Sequence, residues 1–193
     1  MREPIMRDLV ITENITLDGV IDAAGDWFGP AGAAGADMSD VTEALNEQMR
    51  AADGFLVGRR TFEQMRDYWP QQTEDTTGVS AYLDQVAKYV VSRTLGAPGW
   101  EPTTVLRGPV AEEVRALKST PGRDIVTTGS LTLVPELITR HLVDEYRLFV
   151  YPVVRGEGQR LFADARAMPG LRLVECRPFS SGIVLLRYRT AAS

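Results

Sequence analysis

The chain has 193 residues, of which 44% are hydrophobic and 24% are charged, and its 21 basic and 26 acidic side chains leave a net charge of −5. This length and composition fit one domain with a sizeable core, so we predict a single domain over residues 1–193. Proteins that bind a polyanionic backbone usually present a basic face, so the acidic balance argues against nucleic-acid binding.

The sequence contains one cysteine, Cys176, and one histidine, His141. No disulfide can form within the chain, which fits a reducing compartment. A zinc site built from cysteine and histidine needs three or four ligands, so we predict no metal site of that kind. The N-terminus does not read as a signal peptide, and there is no apolar run of about 20 residues. We therefore predict a cytoplasmic protein with no membrane association.

Strand and helix patterns alternate from the start of the chain. Residues 9–15 are apolar and β-branched and predict a strand. Residues 18–40 form a long glycine-rich segment, which is typical of a lid, a binding loop or a disordered segment. Apolar residues at helical spacing then predict a helix from about 41 to 52, capped by Ser39 or Asp40.

The alternation continues through the middle of the chain. Residues 55–57 predict a strand covered on both faces. Thr61 and Gln64 have capping-box spacing, which places a helix start at Thr61. The remaining strands are predicted at 89–91, 104–106, 125–127 and 146–154, and the remaining helices at 80–86, 110–118 and 131–141.

The last part of the chain predicts an antiparallel hairpin. Two alternating segments, 171–176 and 183–188, flank a turn at 180–182. Strands that alternate with helices form a mostly parallel sheet with helices on both faces. We therefore predict an α/β fold with a mostly parallel central sheet and a C-terminal antiparallel hairpin at one edge.

Three predicted strand ends carry similar chemistry: Gly58-Arg59-Arg60-Thr61, Ser92-Arg93-Thr94 and Thr128-Gly129-Ser130. Ligands of open α/β sheets bind beyond such ends. Free N–H groups at helix starts, hydroxyls and guanidinium groups all suit phosphate oxygens. We predict that the three turns hold one dinucleotide, and the arginine surplus favours NADP over NAD. Taken singly, each motif also fits a capped helix with arginines in solvent.

These residues make the chain resemble the dihydrofolate-reductase-like superfamily, and more closely the reductase domain of bifunctional riboflavin-biosynthesis deaminase–reductases and its stand-alone bacterial relatives. The resemblance covers about residues 7–189. Its marks are Thr16–Gly19, Leu56–Glu63, Lys88–Thr94, Gly129–Leu131, Leu142–Glu145, Tyr151–Gly158 and Leu161–Phe162. It implies a dihydrofolate-reductase-like fold and an NADPH-dependent reductase. The implied cofactor-binding residues are Gly58, Arg59, Arg60, Thr61, Ser92, Arg93, Thr94, Gly129, Ser130 and Leu131.

The sequence departs from the family pattern at several positions. Thr16 stands where the family usually has serine, which keeps the hydroxyl. Arg155 replaces a usual aliphatic residue, and it either adds an anion contact near the pocket or points into solvent. The buried carboxylate that dihydrofolate reductases carry on the first helix has no counterpart, because the spacing of Glu43 and Glu47 predicts the solvent face. One histidine and one cysteine cannot supply the deaminase zinc motif, so we predict no deaminase half in this chain.

Four residues are candidates for contact with the substrate. Asp18 heads the long loop and is our candidate catalytic residue, for substrate contact or proton delivery; the alternative is that it caps a turn. Thr16 and Arg155 are candidate substrate contacts. Trp27, beside Phe28, either covers a flat heterocycle or packs the loop onto the sheet.

The leading hypothesis is an NADPH-dependent reductase of a pyrimidine- or pteridine-type heterocycle, nearest to the ribosylaminouracil-phosphate reductase step of riboflavin synthesis. A dihydrofolate reductase and a non-catalytic dimeric nucleotide-binding module are the alternatives. The apolar run 146–154 looks exposed in the sequence, and from it we predict a homodimer. The expected partner is a small heterocyclic substrate.

Overall fold

The computed structural model describes residues 6–25, 27–28, 37–163 and 170–191, which form eight strands and five helices. The strands are β1 (Leu9–Thr16), β2 (Ala52–Gly58), β3 (Ala87–Val91), β4 (Thr103–Leu106), β5 (Asp124–Thr127), β6 (Glu145–Tyr151), β7 (Leu171–Pro178) and β8 (Val184–Thr190). The helices are α1 (Ser39–Ala51), α2 (Arg59–Tyr68), α3 (Val79–Gln85), α4 (Val110–Lys118) and α5 (Leu133–Thr139), with a 3₁₀ turn at Trp69–Gln71. None of these helices is long and apolar enough to cross a lipid bilayer.

All eight strands join one sheet in the order β4-β3-β2-β5-β1-β6-β8-β7. The first six strands in this order pair in parallel. β8 pairs antiparallel with both β6 and β7 and so forms the C-terminal hairpin. The predicted α/β fold is confirmed.

The helices cover both faces of the sheet because its strands are apolar on both faces. Leu56 of β2 packs into a cluster with Val114 of α4 and Leu137 of α5. Its neighbour Phe55 points to the other face. There it belongs to a second cluster, which contains Phe62 of α2 and Leu83 of α3. Adjacent residues of a strand face opposite sides of the sheet. A strand that has helices on both sides is therefore apolar at successive positions and does not alternate between apolar and polar residues.

Two predicted helix caps are wrong. The N-cap of α1 is Met38, and no side chain caps that helix. The carboxylate of Asp40 accepts the N–H of Val41 at 2.8 Å and also the N–H and the hydroxyl of Ser180, at 2.8 and 2.9 Å. α2 begins at Arg59, earlier than predicted, and also has no side-chain cap. Thr61 does not form a capping box, because its Oγ1 accepts a hydrogen bond from another turn.

The reason for predicting a dimer from strand 146–154 is wrong. β6 lies between β1 and β8, and all but one of its residues are buried. Apolar side chains are exposed instead on β7, at the end of the sheet, where Leu173 and Val174 are 50% and 42% exposed. The sequence of β6 is apolar and β-prone because β6 is a central strand with both faces covered.

Candidate functional site

Six turns follow the carboxyl ends of the parallel strands β1 to β6, and all six lie along one edge of the sheet. Side-chain hydrogen bonds join the β4 turn to the β3 turn, β3 to β2, β2 to β5, β5 to β6 and β6 to β1. The three turns that the sequence singled out therefore belong to one surface. Open α/β sheets bind their ligands at this kind of edge.

The β2 and β5 turns are held together by a reciprocal pair of hydrogen bonds. The N–H of Gly58 donates to Ser130 Oγ, and the N–H of Ser130 donates to Thr61 Oγ1, both at 3.0 Å. Gly129 has a φ of +68°, and a Cβ there would lie 3.3 Å from Thr61 Cγ2. Glycine is needed at this position because the turn is both left-handed and in close contact.

Arg59 joins the β2 and β3 turns. Its Nε donates to Glu63 at 2.9 Å, and its Nη1 donates to Thr94 Oγ1 at 2.8 Å. The β3 turn itself is shaped by Ser92, whose Oγ accepts the N–H groups of Thr94 and Leu95 at 3.2 and 2.9 Å. The hydroxyl of Ser92 therefore already serves the turn as an acceptor.

Arg107, at the end of β4, is a site residue that the sequence prediction missed. Its guanidinium donates to the carbonyl of Arg93 at 3.1 Å and to that of Leu95 at 2.7 Å. It therefore fixes the β3 turn from the neighbouring strand. The signal was present in the sequence, since Arg107 directly follows a strand as Arg59 does.

The residues of this half of the edge fit a polyanionic ligand. Arg59, Arg60, Arg93 and Arg107 are all exposed, and they follow three neighbouring strands. α2 has no side-chain cap and no acidic residue in its first turn. Its first N–H groups lack partners within the helix and carry about half a positive charge. Phosphate groups are ligands that such an arrangement favours.

Leu131 enters the site through its backbone. Its carbonyl accepts a hydrogen bond from Gln159 Nε2 at 2.6 Å, which joins the β5 turn to the loop after β6. The backbone carbonyl of Gln159 accepts a hydrogen bond from the N–H of Ile21 at 2.9 Å. Gln159, which was not predicted, therefore connects three segments.

Asp18 lies in the β1 turn, and all its contacts are hydrogen-bond donors. Its carboxylate accepts Thr16 Oγ1 at 2.6 Å, the N–H groups of Arg155 and Gly156 at 3.1 and 2.8 Å, and Arg160 Nη2 at 3.3 Å. The hydroxyl of Thr16 and these backbone donors hold the pKa of Asp18 well below its usual range. An ionised carboxylate with its acceptor sites occupied is a poor proton donor. This geometry favours the alternative prediction, in which Asp18 fixes a turn.

The aromatic residues of the long loop are packed against the sheet. Trp27 is 6% exposed, its Nε1 donates to the carbonyl of Asp22 at 2.7 Å, and its ring meets Tyr151 edge-on at 5.3 Å. Phe28 packs beside it. These contacts favour the packing role over the heterocycle-covering role.

Thr16 and Arg155 also make contacts within the protein. Thr16 is 2% exposed, and its Oγ1 accepts the N–H of Val20 at 2.9 Å while donating to Asp18. The guanidinium of Arg155 lies against the backbone of Gly25, in the long loop. Residues 26 and 29–36 of that loop lie outside the described residues. The predicted loop glycines Gly29, Gly32 and Gly35 are among them.

Glu13 is a second residue that the sequence prediction missed. It lies on β1 and is 4% exposed. Its Oε2 accepts a hydrogen bond from Thr128 Oγ1 at 3.4 Å, the N–H of Gly129 lies near the carboxyl, and Oε1 has no hydrogen-bond partner among the described residues. Burial raises the pKa of Glu13 to about 8, against the smaller opposing effect of these two donors. A buried acid with a raised pKa therefore lies beside the β5 turn.

The first helix presents no carboxylate to the sheet. Glu43 and Glu47 are both exposed, as predicted, and the buried residues of α1 are Val41 and Ala44. The polar contact between α1 and β1 is made by an amide, Gln48 Oε1, which accepts Thr12 Oγ1 at 3.0 Å. The sheet-facing side of α1 thus lacks the acid that would hold a pterin.

A cavity of about 430 Å³ lies at the opposite edge of the sheet, where β2 and β5 begin. Arg50, Tyr82 and Arg123 are among its lining residues. It is separate from the arginine-bearing turns. Among the described residues, no group of three or more His, Cys, Asp or Glu side chains is placed to hold a metal ion.

Residues 7–185 match the model of the RibD C-terminal domain family. Two uncharacterised proteins of Bacillus subtilis (strain 168) are similar along most of their length. YyaP is 32% identical over 187 residues, which cover 94% of each chain. YwjB is 25% identical over 182 residues, which cover 93% of this chain and 96% of that protein.

Three solved structures share the fold. A Shewanella sp. PV-4 protein assigned to riboflavin biosynthesis has a TM-score of 0.70 at 16% identity and covers 96% of this chain and 99% of its own. A pyrimidine reductase-like protein of Corynebacterium diphtheriae has a TM-score of 0.63 at 16% identity, with 97% and 93% covered. A bifunctional pyrimidine deaminase and uracil reductase of Thermotoga maritima has a TM-score of 0.64 at 17% identity, with 96% of this chain and 57% of that chain covered.

Proposed function

The chain belongs to the RibD C-terminal domain family, and from this membership we propose that it is a reductase that uses NADPH to reduce a pyrimidine- or pteridine-type heterocycle. The nearest activity is the reduction of 5-amino-6-(5-phosphoribosylamino)uracil, which the name of the Thermotoga maritima relative includes. The Shewanella and Corynebacterium relatives carry names of the same kind.

The observation that carries this proposal is the set of exposed arginines on the turns after β2, β3 and β4. A dinucleotide pyrophosphate suits the uncapped start of α2. A 2′-phosphate adds charge that only a basic, hydroxyl-bearing site accommodates, which favours NADPH over NADH. Arg60 and Arg93 are the side chains that we assign to this phosphate, with Arg59 and Arg107 ordering the turns around it.

The protein's own residues have two further roles in this proposal. The Gly129–Ser130 turn presents backbone to the cofactor, which supplies the hydride when bound. The β1 turn and the loop 153–160 close the other side of the edge, and Asp18 holds these two segments together. We assign Asp18 to positioning this loop, because its ionised carboxylate does not have a proton to deliver.

One observation favours a second candidate, a non-catalytic nucleotide-binding module. Thr16, Asp18 and Trp27 are candidate substrate contacts, and the polar groups of all three are hydrogen-bonded within the protein instead of being directed at a substrate. A dihydrofolate reductase is disfavoured by the exposed acids of α1.

The proposal also includes a homodimer, formed through the exposed apolar side chains of β7, and a cytoplasmic location.

The test is a titration of the purified protein with NADPH and NADH, followed by a screen of pyrimidine, pterin and flavin precursors for loss of NADPH absorbance. Arg60→Ala and Arg93→Ala should each weaken NADPH binding by about 10-fold or more, since a charge-assisted hydrogen bond contributes about 1.5–3 kcal/mol. The same variants should change NADH binding far less.

Arg172→Ala is the matched control, because Arg172 is an exposed arginine on β7 at the far end of the sheet. Equal losses for the two cofactors would remove the 2′-phosphate assignment. Absence of binding by either cofactor contradicts the proposed function. Binding without turnover of any heterocycle selects the non-catalytic module.

A further inference from the structure

Glu13 lies on a face of β1 whose other buried residues are apolar. Alternate residues of a strand share a face, which places Glu13 with Leu9, Ile11 and Ile15. Those three residues lie in the main apolar cluster. On the neighbouring strands, Leu148 of β6 is in register with Glu13, and the β5 turn lies on its other side. The carboxyl group therefore lies inside the core, next to Thr128 at the start of the β5 turn.

Neither the sheet face nor the helices over it present a cation to Glu13, among the described residues. The cluster contains Tyr146, whose pKa burial raises above its ordinary value, and Tyr89 and Tyr188 pack against it. Glu112 and Arg115 of α4 are exposed. In the loop after β6, Glu157 is exposed and Arg155 lies against Gly25. Further charged groups of these segments make other contacts: Glu113 with Gly108, Lys118 with Asp144, Arg140 with Glu136 and Arg160 with Asp18.

We propose, on the premise of the proposed function, that Glu13 is a positioning residue that supports the Gly129–Ser130 turn as a neutral acid, and that its ionisation weakens the hold of this turn on the cofactor phosphates. Its carboxyl accepts the hydroxyl of Thr128 at 3.4 Å and lies near the N–H of Gly129, so Glu13 supports the peptide that leads into this turn. A buried carboxyl that has few donors and no cation favours its neutral form.

Ionisation would place a negative charge beneath a turn that faces phosphate. Charges of the same sign repel strongly where water is excluded. The linkage is reciprocal, so a bound dinucleotide would in turn keep Glu13 protonated. The turn would therefore hold its ligand more tightly at neutral pH than in mildly alkaline solution.

The experiment measures NADPH affinity from about pH 7 to about pH 9.5 for the wild type, Glu13→Gln and Glu43→Gln. The affinity of the wild type should fall by about 3- to 10-fold across this range, with a midpoint near 8. Glu13→Gln should keep its affinity, because the amide does not ionise. Glu43 is exposed on α1, so Glu43→Gln should behave as the wild type.

A second readout needs no cofactor. The backbone amide signals of Gly129 and Ser130 in the NMR spectrum of the free wild-type protein should move with a midpoint near pH 8 and stay still in Glu13→Gln. Amide signals that do not titrate, or NADPH affinities with the same pH dependence in wild type and Glu13→Gln, overturn this proposal. Titrating amides without NADPH binding at any pH would instead contradict the proposed function and leave the support role of Glu13 standing.

Discussion

Two carboxylates on one stretch of chain have opposite environments. Asp18, in the turn after β1, accepts hydrogen bonds from one hydroxyl, two backbone N–H groups and one guanidinium, and its pKa is lowered. Glu13, within β1, accepts one long hydrogen bond and has no charged partner among the described residues, and burial raises its pKa to about 8. The difference shows that an acid's chemistry depends on the number of donors around it and on its burial.

The contributions of the two residues to the stability of the folded protein depend on pH in different ways. The carboxylate of Asp18 stabilises the folded protein when it is ionised, and this contribution is lost as the pH falls. The carboxyl of Glu13 ionises at a lower pH in the unfolded chain than in the folded protein. Glu13 therefore lowers the free energy of unfolding, and this effect grows as the pH rises.

The largest expected effect is a gain of stability in Glu13→Gln. The unfolded chain ionises at the ordinary value of 4.5, whereas the folded protein keeps the proton to about pH 8. The folded state binds more protons in this window, so stability falls as the pH rises through it. A neutral amide avoids this loss, and the free energy of unfolding of Glu13→Gln should exceed that of the wild type by about 3–4 kcal/mol at about pH 8.

Urea unfolding at about pH 4.5 and about pH 8 measures this difference, which should nearly vanish at the lower pH. Glu43→Gln is the matched control, since Glu43 is exposed, and its stability should follow that of the wild type. Parallel stability profiles for the wild type and Glu13→Gln would mean that Glu13 ionises in the folded protein as it does in water.

The next effect concerns the turn above Glu13. In Gly129→Ala, the new Cβ meets Thr61 at 3.3 Å in a backbone with a φ of +68°. A left-handed conformation costs a non-glycine residue about 1–2 kcal/mol, and the contact adds to it. We expect a lower melting temperature together with weaker NADPH binding.

Gly99→Ala separates strain from position. Gly99 has a φ of +70°, and a Cβ there meets nothing within 4 Å. This control should lose stability through strain alone and keep its affinity for NADPH. Equal NADPH affinities for Gly129→Ala and Gly99→Ala would show that the β5 turn does not contribute to binding.

The fold could largely be predicted because its signals are local. Helical spacing and apolar runs predicted the helices and strands, and the prediction for α4 matches the structure residue for residue. The order of the strands could not be read in this way. β5 lies between β1 and β2, and β8 lies between β6 and β7, because of pairings between distant parts of the chain.

The site was predicted where one residue carries its own signal and missed where a distant partner decides the role. Glycine, serine and arginine after strands indicated the three turns. The role of Asp18 depends on N–H groups 137 and 138 residues away, which no local pattern indicates. Glu13 did carry a signal that was overlooked, since it interrupts the apolar face formed by Leu9, Ile11 and Ile15.

The smallest effect is expected for Asp18→Asn, because Asp18 lies at the surface, where solvent screens its interactions. The folded-state pKa of Asp18 is depressed, so its stabilising contribution is present above the ordinary value of 3.8 and is lost as the pH falls below it. The melting temperature of Asp18→Asn should be lower than that of the wild type at neutral pH, and the gap should narrow in acid. Asp22→Asn is the matched control, since the Asp22 carboxylate accepts one backbone N–H and has no guanidinium partner among the described residues. A gap that stays constant from neutral to acid pH would mean that the charge of Asp18 does not hold the loop after β6, and the contrast with Glu13 would then rest on burial alone.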